Sequence, residues 1–124
     1  DYAEGMQLMR HFWDAAVTLD PKVSDIDEVK RFPHSRPKPL KGLFQEAGFQ
    51  HVEVIPIEVP THFLDFDDYW APFLGGQGPA PSYAMSFSEE SRTALRELIR
   101  AGLPFAADGS ISLTARAWAV RGSR

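Results

Sequence analysis

Between Glu4 and Thr18 the apolar residues Met6, Met9, Trp13 and Ala16 recur at helical spacing, with Leu8, Phe12 and Val17 widening the stripe. Asp20-Pro21 ends this pattern. From Lys22 to Lys38 no period is sustained, and charge and proline dominate, as in an irregular connection or lid. Pro39 then suits the first position of a short helix whose apolar face is Leu40, Leu43, Phe44 and Ala47, with Gly48 as a left-handed stop. His51 to Val59 follows as a strand. Its apolar parity switches between Val54 and Ile55, which predicts either a bulge near Pro56 or burial on both faces.

Asp65, with Asp68 three residues on, predicts a capped helix with an aromatic face of Phe66, Tyr69, Trp70 and Phe73. The Gly75–Pro81 stretch is read as unable to continue a helix or a central strand. Ser86 and Glu89 are spaced as a capping box for a helix reaching about Ala101 and closed by Gly102 and Pro104, with Phe87, Leu95, Leu98 and Ile99 buried. Asp108-Gly109 marks a turn into a last strand, Ile111 to Val120. Ile111, Leu113, Ala115, Ala117 and Ala119 share one side of it, and the small alanines predict a helix packed closely there. The expectation is one domain over residues 1–124 with two strands and about four helices. Two strands alone make a marginal sheet, so the sheet looks incomplete.

With 124 residues, 44% of them hydrophobic, the chain can build one modest core but not two. A net charge of −4 and scattered basic residues argue against a nucleic-acid partner. The one basic stretch, Arg31 to Lys41, is interrupted by prolines and reads as a solvated loop. Without cysteine there is no disulfide, thiolate metal site or cysteine nucleophile. No apolar run is long enough to span a membrane and no signal sequence opens the chain, so a cytoplasmic location is expected. His11, His34, His51 and His62 are too dispersed for a metal motif. Asp65, Asp67 and Asp68 lack the glycine and the later glutamate of a calcium loop.

The order of elements resembles the late part of class I S-adenosylmethionine-dependent methyltransferases. More narrowly it is similar to the ubiquinone/menaquinone-biosynthesis type. The residues that carry the likeness are Pro39-Leu40-Lys41-Gly42-Leu43-Phe44-Gln45-Glu46-Ala47-Gly48-Phe49 running into His51-Val52-Glu53-Val54, and the closing strand Ile111 to Val120. The resemblance implies an α/β fold: the C-terminal portion of a Rossmann-like sheet, its last two strands antiparallel, which viewed in isolation is α+β. It slots the final, antiparallel strand between the fifth and sixth, and makes residues 65–104 a helical insertion, or lid, between the sixth and seventh strands. The glycine-rich cofactor loop and the acidic residue after the second strand have no counterpart, and Gly75-Gly76-Gln77-Gly78 follows no apolar strand. S-adenosylmethionine is therefore expected to bind mainly upstream of Asp1, with no cofactor-binding residue in this chain.

Under the same resemblance this portion supplies the pocket for a small-molecule methyl acceptor. Asp1 and Tyr2 would lie at the C-terminal end of the fifth strand, where open α/β sheets place ligands. His11 and Trp13 follow on the next helix, and Tyr69, Trp70 and Phe73 would roof an apolar acceptor. Core packing is the competing account of these aromatics. A free-standing α+β binding or dimerisation module is the alternative to the methyltransferase expectation. A homodimer through the exposed sheet edge is the further partner expectation.

Overall fold

The computed structural model describes residues 1–124 as an α+β fold in which one long antiparallel hairpin carries all the helices. α1 (Gln7–Leu19) opens the chain, starting later than the apolar stripe implies because residues 2–5 form turns against the hairpin. The irregular connection contains two short pieces. Pro21–Asp25 is a 3₁₀ turn, and α2 (Glu28–Arg31) is capped by the Asp27 carboxylate, which accepts the Val29 N–H at 2.9 Å. α3 (Pro37–Glu46) begins at Pro37, so Pro37 and Pro39 both fall in the first turn, where a helix has no use for their missing N–H groups. Gly48 takes the left-handed conformation (φ 89°) expected of it.

β1 (Gln50–Phe63) and β2 (Ile111–Ser123) pair from end to end, Phe63 opposite Ile111 and Val54 opposite Val120. The ladder runs without interruption through Pro56; its irregularity lies between Gln50 and Glu53, beside His51, whose φ is +50°. The reason is which way the proline nitrogens point. Arg116 N–H donates outward to Gly5 O at 2.9 Å, and Thr114 N–H donates outward to Gln7 Oε1 at 2.8 Å. Antiparallel partners at such positions both turn their backbone groups away from each other. Glu58 and Pro60, opposite Arg116 and Thr114, therefore face the outer edge of β1, and Pro56 shares their parity. Neither proline costs a ladder bond.

Between the strands, α4 (Phe66–Trp70) has the cap its aspartates predict. Asp65 accepts the Asp68 N–H, and Asp68 accepts the Leu64 N–H, both at 2.9 Å. A 3₁₀ turn over Ala71–Gly75 leads to α5 (Pro79–Ser86), a helix the sequence did not predict, which begins inside the stretch read as unable to continue one. Gly76 and Gly78 (φ 68° and 89°) reverse the chain, and Pro79 and Pro81 occupy a first turn that needs no donors. α6 (Glu89–Gly102) is capped by Ser88, whose hydroxyl accepts the Ser91 N–H at 3.2 Å. Ser86 instead ends α5, its hydroxyl donating to Tyr83 O.

The core gathers at the Phe63–Ile111 end of the hairpin. Phe12, Trp13, Tyr69, Phe73, Leu95 and Ile99 are buried there against Phe63, Ile111 and Leu113. Full burial of each large side chain is worth about 1.5–3 kcal/mol, so this cluster, and not the two-stranded ladder, holds the fold. Leu98, assigned to the buried stripe, is 37% exposed because it lies off the Leu95–Ile99 line. α3 packs at the other end of the hairpin, where Val52 is buried and Phe44 lies 5.4 Å from Phe49. Farther along the face that carries Phe63, Ile111 and Leu113, Ile55, Ile57 and Val59 stand beside Ala119, Ala117 and Ala115, and the three larger side chains are at least 53% exposed. The helix those alanines predict is not there, because α1 and α4–α6 all cover the near end.

Candidate functional site

The most developed depression lies along the outer edge of β2. Gly5 seats the 1–6 segment on that edge: Arg116 N–H donates to Gly5 O, and Met6 bridges Ala115 antiparallel. A Cβ on Gly5 would stand 2.5 Å from Arg116 Cβ, so only glycine lets the 1–6 segment lie this close. The Asp1 carboxylate meets the Arg116 guanidinium at 2.7 Å (Nη2) and 2.8 Å (Nε), and its other oxygen accepts the Ala3 N–H at 3.0 Å. Arg116 is in turn stacked 4.8 Å from the Trp118 ring and lies 3.4 Å from Glu58.

A cavity of about 410 Å³ opens on one side of this ion pair, between β2 at Ala117–Trp118 and a wall formed by Phe32, Pro33 and His34. Arg31 lies at its rim and makes no ion pair. Across the pair a smaller cavity of about 270 Å³ lies between Ala3-Glu4 and Arg36. Because Arg116 neutralises Asp1, the charge that the larger cavity presents is that of Arg31.

Of the seven residues expected at an acceptor pocket, this cleft includes Asp1 and is braced by Tyr2, whose ring stacks on Phe32 at 5.3 Å. The other five lie elsewhere. Trp13 is fully buried, its indole N–H donating to the Glu28 carboxylate. Tyr69 is also fully buried and donates its hydroxyl to Leu8 O at 2.8 Å; burial raises its pKa above that of a free phenol. Phe73 stacks on Phe12 at 4.6 Å, and Trp70 packs beside Phe73. These four are core, the competing account weighed for them. His11 is half-buried on α1; desolvation lowers its pKa, against a smaller opposing effect of Asp14. Sequence reasoning gives Trp118 no site role and His34 only a discarded role as metal ligand, while Arg31 belongs to a stretch read as solvated loop. Only the pairing of the 1–6 segment with β2 brings them together.

The chain's one glycine-rich turn opens α5, whose first turn lacks two N–H groups at Pro79 and Pro81. No group of three His, Asp or Glu side chains could hold a metal ion, and no helix is long and apolar enough to cross a membrane. No family model, curated protein or solved structure matches the chain.

Proposed function

We propose that this chain is the acceptor-side portion of an S-adenosylmethionine-dependent methyltransferase, completing a Rossmann-like sheet whose other half binds the cofactor. The observation that carries the reading is the setting of β2. It runs antiparallel to β1 on one edge and, through the Met6–Ala115 bridge, antiparallel to the end of the 1–6 segment on the other. That is the position the resemblance gives to a final strand inserted between the fifth and the sixth. The cleft beside Asp1 then lies where a strand leads out of the sheet, the place open α/β sheets use for ligands. Residues 65–104 cover the hairpin end away from this cleft, so here they act as core and not as its roof.

The decisive experiment is calorimetric titration of S-adenosylhomocysteine into this chain alone and into the full-length product of its gene. Binding to the longer protein and none to this chain is the expected outcome. Silence from both overturns the assignment. The second reading, a free-standing α+β module, is favoured by one observation: a 16-residue core closes without any other chain.

A further inference from the structure

We infer that the outer edge of β2, from Trp118 to Gly122, pairs with the same edge of a second copy of this chain, forming a continuous four-stranded sheet. Backbone direction comes first. Arg116 and Thr114 turn their N–H groups outward, to Gly5 and to the Gln7 side chain. Trp118, Val120 and Gly122 share that parity, and none of them takes part in the backbone bonds made outside the helices and the hairpin. Their donors and acceptors form an open row, the usual invitation to another strand.

The two edges of the sheet are not equivalent. On β1 the outward positions include Pro56 and Pro60, which have no N–H to give, with Glu58 between them. That edge is guarded against pairing. The β2 edge carries no proline.

The register follows from charge and space. A two-fold axis at Arg121 would set two guanidiniums opposite one another across the interface, a destabilising pairing. An axis at Val120 sets valine against valine and Arg121 against the partner's Ala119, and lets the three outward residues exchange about six backbone bonds. In that register the partner's Gly122 meets Trp118, where the 31–35 loop comes close to β2. A strand residue without a side chain enters most readily there, and the cavity of about 410 Å³ beside Ala117 and Trp118 gives the following residues room.

This inference does not rest on the methyltransferase reading. In a longer protein whose own strand lay along β2, that strand would compete for the same bonds, and self-pairing through this edge would be absent. Sedimentation equilibrium on this chain is the test, with circular dichroism to confirm that each variant folds. The wild type is expected to dimerise. Val120→Pro removes the central donors, and Val120→Lys places two ammonium groups across the axis; each should raise the dimer dissociation constant by at least about tenfold. Pro56→Val, on the guarded edge, should leave it unchanged. A wild-type chain that is monomeric at every concentration overturns the proposal, as does a dimer that survives both Val120 variants.

Discussion

The Trp13–Glu28 contact is a fully buried polar interaction within the core. Glu28 is 3% exposed, and its carboxylate accepts the indole N–H of a fully buried tryptophan. A buried carboxylate deprived of its donor keeps its desolvation cost. Trp13→Phe is therefore expected to lower stability by about 3–5 kcal/mol, combining cavity formation with the orphaned acceptor. In urea denaturation, adding Glu28→Leu to that variant should recover part of the loss; a strictly additive double variant would show that the contact contributes nothing. His11 supplies a pH dependence. Its pKa is lowered in the folded state, chiefly by desolvation, so the unfolded chain binds the proton more readily. Stability from this residue is fully present above the ordinary histidine pKa of about 6.5 and is lost as pH falls through the folded-state value. His11→Asn should flatten the change in urea midpoint across that acidic range, and an unaltered slope would remove His11 as its source.

Local rules shape the elements with different success according to how far the rule reaches. The Asp65 cap is legible because a cap involves neighbours in sequence only. The same logic placed the α6 cap at Ser86 from the spacing to Glu89. The chain prefers Ser88, since α5 extends through Ser86 and leaves Phe87 extended (φ −81°, ψ 153°) as the link. Arg92 locks that arrangement by donating to Ala84 O and Phe87 O, each at 3.0 Å. Ser88→Ala should cost about 0.5–2 kcal/mol in thermal or urea unfolding, and Ser86→Ala clearly less. Equal losses would mean that the cap is not at Ser88. α5 escaped the sequence reading for a related reason. Proline is a barrier inside a helix, but its cost vanishes in a first turn whose N–H groups are unused, as at Pro79 and Pro81.

At the scale of the molecule, the hairpin is used unevenly, packed into an aromatic core at the Phe63–Ile111 end and open along Ile55, Ile57 and Val59. Both proposals concern the outer edge of β2. The cofactor titration asks whether a missing half of the sheet belongs on β2, and the sedimentation test asks whether a second copy takes the same edge when no such strand competes. Sequence periodicity was enough for the two strands, for α1, α3, α4 and α6, and for Gly48 as a stop, because these depend on neighbours within a few residues. It also made Trp13, Tyr69, Trp70 and Phe73 prominent. An aromatic stripe looks the same, though, whether it lines a pocket or fills a core. Only the return of α1 and α4–α6 to one end of the hairpin decided for the core. Likewise the cleft joins Asp1, residues 31–35 and Trp118 across most of the chain's length, through contacts no local pattern encodes. Helix caps and strand alternation are written in adjacent residues; the direction in which Pro56 and Arg116 turn their backbone groups is set by which strand lies beside which, and only the tertiary structure supplies that.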